Sequence, residues 1–179
     1  MVAFAGAASV SLLLTRQLEI PEPVYFEANT DTIRQVDYPD NDKNWPIMSE
    51  RMRAILLPQA PKHRLIGVSF IDDTVIEDED RFDKTGKPRP GVTIDGFAAV
   101  QFLEHVDAMD MERSTYTPDP DFPGEASSVK KLVLEDVPLP RVFRLSAYAM
   151  HVFVSADGRR ALEEAGIKGV QFWDLSKIY

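Results

Sequence analysis

One segment near the C-terminus, residues 151–175, constrains the fold more than any other part of the chain. It reads HVFVSADGRRALEEAGIKGVQFWDL, which predicts an apolar strand, a short amphipathic helix, and a second apolar strand over residues 170–173. Ser155 can accept hydrogen bonds from the first amides of the helix, and Gly166 can adopt the left-handed conformation that ends it. The segment contains no catalytic motif. Three apolar residues at helical spacing form a narrow apolar stripe on the helix: Ala161, Leu162 and Ala165.

A second segment, residues 45–57, repeats this local pattern. It reads WPIMSERMRAILL, with Ser49 as the predicted N-cap. Glu50 follows in the first turn, where its charge suits the helix dipole. Pro58 stops the helix because it has no amide hydrogen to donate. The predicted buried stripe consists of Met52, Ile55 and Leu56.

The remaining elements are predicted to be short, and most of them are strands. Residues 96–107 alternate in hydrophobicity and favour a strand covered on both faces, with a helix as the competing interpretation. Residues 72–83 are predicted to be a strand edge or loop, and residues 117–126 an acidic loop. We therefore expect an α+β fold in a single domain, a mainly antiparallel sheet with two or three short helices packed on it. Further strands are expected at residues 24–26, 65–71, 131–134, 142–145 and 152–154, and a helical turn at residues 30–35.

The first 14 residues, MVAFAGAASVSLLL, can be read in two ways. They resemble the apolar core of a secretory signal, but no Lys or Arg precedes them. They are too short to span a bilayer as a helix. We favour a buried first strand, and the signal remains the alternative.

Charge limits the partners of this protein. The net charge is −9, and residues 1–129 contain 23 acidic and 12 basic side chains. Phosphate contacts need clustered Lys and Arg, so nucleic acids and anionic membranes are disfavoured as partners. A basic protein partner is favoured, although a solvated acidic surface would also explain the charge. The absence of cysteine excludes disulfides and thiol catalysis.

The titratable and glycine-rich motifs of common active sites are missing. His63, His105 and His151 are too widely separated to form a metal-binding face. No nucleophile elbow and no phosphate-binding loop occurs. The acidic run at residues 72–83 lacks the central glycine of a calcium loop. We therefore predict no catalytic residue, no cofactor and no metal site.

What remains is a candidate surface for binding another protein. Acidic and aromatic side chains in exposed loops suit a basic partner, whereas Trp173 is assigned to the core by strand alternation. The candidate partner-binding residues are Asp72, Asp73, Glu77, Asp78, Glu79, Asp80, Tyr116 and Phe122.

Several segments together resemble a known family. The order WPIMSERMRAIL, HRLIGVSFID, GFAAVQFLEHVDAMDMERS, VKKLVLEDVPLPRVFRL and HVFVSADGRRALEEAGIKGVQF is similar to the immunity protein eleven family of bacterial polymorphic toxin systems. The resemblance runs from about Trp45 to Trp173. Its most specific part is a C-terminal pattern formed by Ser155, Ala161, Leu162, Ala165, Gly166, Gly169, Val170 and Phe172.

The resemblance implies a function that the residues alone do not. Such proteins neutralise a cognate toxin that a secretion system, for example of type VI, delivers to neighbouring cells. The resemblance implies a non-enzymatic inhibitor. The acidic run at residues 72–83 predicts that the toxin's active-site surface is basic. The lack of cysteine and of a convincing export signal favours the cytoplasm, and the apolar N-terminus leaves the periplasm open. It also implies that residues 45–179 form the family core, to which residues 1–44 add an N-terminal strand and an acidic loop-rich segment. A metal-dependent hydrolase that reverses a toxin's modification is the alternative, and a structural subunit of a larger assembly is a third reading.

Overall fold

A computed structural model describes residues 3–4, 12–173 and 175 of the chain, which form short strands and helices. The strands are β1 (Ala3–Phe4), β2 (Val24–Ala28), β3 (Ile47–Ser49), β4 (His63–Asp72), β5 (Thr93–Phe102), β6 (Thr115–Pro118), β7 (Ala126–Lys131), β8 (Val142–Phe143) and β9 (Phe153–Val154). The helices are α1 (Thr30–Ile33), α2 (Glu50–Leu56), α3 (Asp78–Arg81) and α4 (Ala156–Glu164), and a 3-10 turn (Leu57–Gln59) follows α2.

The largest sheet contains five strands in the order β1-β2-β4-β5-β3. Strand β2 runs parallel to β4, and the other three neighbouring pairs are antiparallel. The strands β6 and β7 form a separate two-stranded sheet, as do β8 and β9. The predicted α+β class with a mainly antiparallel sheet and short helices is confirmed.

Strand β5 shows how the sheet separates two apolar clusters. Ala99 packs in a cluster with Phe26 of β2, whereas Val100 packs in a second cluster with Met52 of α2 and Leu162 of α4. Adjacent residues of a strand point to opposite faces, so α2 and α4 contribute to the cluster on one face of the sheet. The strand prediction for residues 96–107 is confirmed, although β5 begins at Thr93 and ends at Phe102.

A third apolar cluster lies outside the main sheet and joins the two small sheets. Val129 of β7, Phe143 of β8 and Phe153 of β9 are buried in it. The rings of Phe143 and Phe153 are stacked with centroids 5.8 Å apart. This cluster supports the β6–β7 hairpin, which carries one of the candidate surfaces.

Both predicted helix caps are present. The Ser49 hydroxyl accepts a hydrogen bond from the Met52 amide, and the Ser155 hydroxyl accepts one from the Gly158 amide, each at 3.2 Å. Helix α4 is followed by Gly166, whose φ of 63° is left-handed. The local chemistry of these residues therefore places both helices correctly.

Two predictions near the C-terminus are wrong. Residues 170–173 form no strand, and Trp173 is 65% exposed instead of lying in the core. Val170 and Phe172 pack as partly buried covers on the cluster that contains α2 and α4. An apolar segment forms a strand only where a neighbouring strand can form hydrogen bonds with it. Here Val170 and Phe172 instead cover apolar side chains of that cluster.

Smaller differences concern where elements begin and end. The predicted strands at 24–26 and 65–71 and the helical turn at 30–35 correspond to β2, β4 and α1. The strand expected at 131–134 is displaced to β7, the one expected at 142–145 is limited to β8, and the acidic run at 72–83 contains the one-turn helix α3. Within residues 1–14, β1 pairs antiparallel with β2. Residues 1–2 and 5–11 lie outside the described residues. The predicted burial of this first strand therefore stays a prediction. Among the helices of the described part, none is long and apolar enough to cross a bilayer.

Candidate partner-binding surfaces and the contacts that hold them

The acidic segment, residues 72–83, begins with a half-buried carboxylate that is hydrogen-bonded within the chain. Asp72 accepts hydrogen bonds from the hydroxyls of Thr30 and Thr74, each at 2.7 Å, and from the Thr74 amide at 3.0 Å. Burial alone would raise the pKa of Asp72, but these hydrogen bonds lower it below its ordinary value. Asp72 therefore fixes the start of the acidic segment to α1 and is already engaged within the chain.

The other predicted acids of this segment are exposed to solvent. Among the described residues they form no ion pair, so their charges are not neutralised by direct contact. Ile76, which lies among them, is 83% exposed. The segment thus presents negative charge around one apolar side chain. The exposed acids are Asp73, Glu77, Asp78, Glu79 and Asp80.

Two arginines hold the acidic segment in place, and one of them binds it to the main sheet. Arg81 at the end of α3 donates from Nη2 to Glu27 Oε1 of β2 at 2.6 Å. Arg89 donates from Nε to the carbonyl oxygens of Glu79 and Phe82 at 2.7 and 3.1 Å. The exposed carboxylates therefore project from an anchored segment, and ordering them on binding costs less entropy than ordering a free loop.

The two predicted aromatic residues lie on the β6–β7 hairpin, away from the acidic segment in the chain and on a different apolar cluster. Tyr116 in β6 packs partly against the cluster that supports the hairpin. Phe122, in the connection between the strands, is 59% exposed. The Asp119 carboxylate accepts hydrogen bonds from the amides of Asp121 and Phe122 at 2.9 and 3.1 Å. The connection is therefore a defined turn that holds Phe122 in solvent.

A buried carboxylate that the sequence analysis did not single out connects three distant segments. Asp37 is 8% exposed and accepts hydrogen bonds from the Ser49 hydroxyl at 2.7 Å, from Arg51 Nη2 at 2.7 Å and from the Lys168 amide at 2.9 Å. Its own amide donates to the Lys168 carbonyl at 2.9 Å. Asp37 thus joins the N-terminus of α2 to the chain after α4. No spacing in the sequence indicates this, because the partners are brought together only by folding.

His63 differs in its surroundings from the other two histidines. His63 Nδ1 lies 2.8 Å from the carbonyl oxygen of Pro61. Burial lowers the pKa of His105 and of His151, and the charge of Arg144 lowers both further. Within the described residues, no group of three or more His, Asp or Glu side chains is arranged to hold a metal ion.

Arg144 is the second functional candidate that the sequence analysis missed. It follows β8 in the apolar run Val-Phe-Arg-Leu, where a lone arginine among buried residues was a usable signal. Its side chain is 2% exposed and it lines a cavity.

Comparison with known proteins identifies one family. Residues 97–177 match the sequence model of the Immunity protein family (Imm11). No match was found among curated proteins. The matched segment contains Tyr116 and Phe122, whereas the acidic segment precedes it, so the resemblance between Trp45 and Gly96 stays a prediction. The C-terminal part of this chain, from residue 97 to residue 177, thus matches the Imm11 immunity protein family, which confirms the resemblance drawn from the sequence.

Proposed function

We propose that this protein binds a cognate toxin and neutralises it by covering the toxin's active site, without catalysis of its own. The observation that carries this proposal is the match of residues 97–177 to an immunity protein family. The proposed site of action is the cytoplasm, where an incoming toxin would act. The toxin is the partner, and we infer that its active-site surface is basic.

The acidic segment supports a basic partner surface. Its exposed carboxylates from Asp73 to Asp80 form no ion pair among the described residues, so a cationic toxin surface would find them available. Clustered charge of one sign accelerates the encounter with an oppositely charged partner. In this proposal Asp72 contributes by holding the segment in place.

Phe122 is the proposed apolar anchor of the same interaction. Large aromatic side chains that enter a pocket on the partner supply much of the binding energy of an interface, and the turn around Asp119 holds Phe122 before binding. A standard interface buries about 1,600 Å² in total. We therefore assign fast association to the acidic segment and slow dissociation to Phe122, with Tyr116 of the same hairpin as a second proposed contact.

The first experiment identifies the partner. This protein is produced together with the product of the adjacent gene, and the two are tested for co-purification. The gene product is then assayed for toxicity with and without this protein. We expect a stable complex and loss of toxicity. A toxic gene product that this protein neither binds nor neutralises would refute the proposed function.

Removing charge from the acidic segment should slow association. In the quadruple variant Glu77→Gln, Asp78→Asn, Glu79→Gln, Asp80→Asn, we expect the association rate constant with that toxin to fall about tenfold or more at low ionic strength. The difference should shrink at high salt because screening removes the steering effect. Stopped-flow mixing over a series of salt concentrations measures both effects.

A control with the same change in net charge tests whether position matters. The control variant neutralises four exposed acids that lie elsewhere on the surface: Glu112, Glu135, Asp136 and Glu164. Neutralising them should leave the association rate constant within about twofold of the unmodified protein. Equal slowing in both variants would show that overall charge acts and would reject the acidic segment as the site.

Truncating Phe122 should affect dissociation instead. For Phe122→Ala we expect dissociation from the toxin about tenfold faster, with the free energy of unfolding unchanged within about 0.5 kcal/mol because the side chain is exposed. Surface plasmon resonance and urea unfolding measure the two quantities. Val137→Ala removes another exposed apolar side chain and should change neither. An unaltered dissociation rate in Phe122→Ala would exclude Phe122 as an anchor.

A further inference from the structure

A cavity of about 960 Å³ lies beside α2, between the strands β8 and β9 and the chain around residues 170–173. Its walls are mostly apolar and include Trp45, Met48, Met52, Val142 and Phe153. Cavities of 300 to 1,000 Å³ with apolar walls and few polar groups are typical of small-molecule sites.

Arg144 places one cation in this apolar wall. It is 2% exposed, and among the described residues its guanidinium makes one hydrogen bond, from Nη1 to the carbonyl oxygen of Ala149. Its Nε is buried without a partner, and no described carboxylate pairs with it. A buried charge without a counter-ion is costly, so the Arg144 guanidinium lacks an anion among the described residues.

Of the three charged side chains that line the cavity, Arg144 is the buried one, and Lys43 lies 3.8 Å from the Asp42 carboxylate. Burial lowers the pKa of Arg144 to about 10, so it stays protonated at neutral pH. Burial raises the pKa of Tyr38, whose hydroxyl is then neutral and able to donate. Burial lowers the pKa of His151, and Arg144 lowers it further, which favours the neutral ring. Asp40 and Lys43 also line the cavity and carry opposite charges.

We propose that this cavity binds a small monocarboxylate with an apolar body, whose carboxylate lies on the Arg144 guanidinium. The two oxygens of a carboxylate match the parallel N–H groups of a guanidinium edge. The single negative charge of a carboxylate matches the one positive charge of Arg144, whereas a doubly charged phosphate would leave one negative charge uncompensated in an apolar wall. The apolar body packs against the methionines and aromatic rings of the walls.

The cavity mouth fits such a ligand. Met150 and Trp173 line the cavity and are largely exposed, so apolar surface extends from the interior to solvent. Single exposed apolar side chains are ordinary, but here two of them adjoin the cavity that holds the unpaired cation. This site is independent of the proposed toxin-binding surfaces, and it can be tested without any toxin.

Decanoate is the probe for the first test. Isothermal titration calorimetry of the full chain should show saturable binding of decanoate, and decanol, which has the same chain but no charge, should bind at least tenfold more weakly. In Arg144→Met we expect decanoate to bind at least tenfold more weakly as well. Replacing a buried unpaired charge by an apolar side chain of similar length is not expected to unfold the protein. Arg113→Met, which removes an exposed arginine, should leave decanoate affinity unchanged.

A second measurement locates the bound probe. In the variant Trp173→Phe, Trp45 is the only tryptophan, and it lines the cavity. A medium-chain carboxylate with bromine at its far end should quench Trp45 fluorescence, and unbrominated decanoate should compete for it. Arg144→Lys keeps the charge but loses the planar fork, so it should weaken binding less than Arg144→Met does. No saturable binding, equal affinity for decanoate and decanol, or unchanged affinity in Arg144→Met would overturn the proposal.

Discussion

Replacing Asp37 by alanine is expected to lower the free energy of unfolding by about 3 kcal/mol. The carboxylate accepts from Ser49, Arg51 and Lys168 and is nearly buried, so its loss leaves several donors without acceptors. The N-terminus of α2 and the chain after α4 would lose their common anchor. Urea unfolding followed by circular dichroism measures the change.

A matched control separates this network from surface charge. Asp31→Ala removes an exposed carboxylate that pairs with Arg34 at 2.9 Å, and such pairs contribute about 0.5 kcal/mol or less. We expect Asp31→Ala to unfold almost as the unmodified protein does. If the two variants were equally stable, the hydrogen bonds to Asp37 would contribute no more than an exposed ion pair.

The same carboxylate should make stability depend on pH. Burial would raise the pKa of Asp37, but hydrogen bonds from Arg51, from the Lys168 amide and from Ser49 lower it below the unfolded value. The folded protein therefore holds the deprotonated form, and this contribution is present above the unfolded pKa of about 4 and is lost as the pH falls through the folded value. The stability difference between the unmodified protein and Asp37→Asn should shrink below pH 4, as acid urea titrations can show.

Gly169→Ala is the second substitution with a large expected effect, about 3 kcal/mol of destabilisation. Gly169 has a φ of 83°, and a Cβ atom there would lie 2.8 Å from the carbonyl oxygen of Tyr38 and 3.0 Å from Val36 Cβ. An alanine here would destabilise the folded state both through its left-handed backbone conformation and through the clash. Moving this chain away from Tyr38 would also disturb the neighbouring hydrogen bond from Lys168 to Asp37. Thermal and urea unfolding measure the loss.

Gly166→Ala isolates the backbone contribution. Gly166 also has a positive φ, 63°, but a Cβ built there meets nothing within 4 Å beyond its own immediate chain neighbours. We expect a loss of about 1 kcal/mol from conformation alone. An equal loss at both glycines would show that the close approach to Tyr38 has no energetic effect.

The sequence predicted those features that depend on neighbouring residues. Ser49 and Ser155 were assigned as caps, and Gly166 as a helix stop, because each acts on backbone groups a few residues away. The strand expected at residues 170–173 and the burial of Trp173 were wrong, because both depend on which surface the chain meets. Periodicity identifies an apolar run but does not say whether a strand lies beside it.

The parts of the sites that the sequence could not predict depend on long-range contacts. Asp37 meets Lys168 across most of the chain. The position of Arg144 in an apolar run is visible in the sequence, but the lack of a described carboxylate beside it is known only from the fold. The exposure of Phe122, by contrast, could be predicted from the prolines and acids around it. That Asp73 to Asp80 and Phe122 contact a partner stays a prediction, as does the division of the chain at residue 45.

The five-stranded sheet has a consequence for any attempt to trim or recombine this protein. The family match begins at residue 97, in the middle of β5, whose partners β3 and β4 both precede it. A fragment starting there would retain half a strand with bare peptide groups along both sides, a template for aggregation. The segment that matches the family is therefore shorter than the segment needed to complete the sheet. Chimaeras with relatives should exchange surface loops and keep the sheet intact.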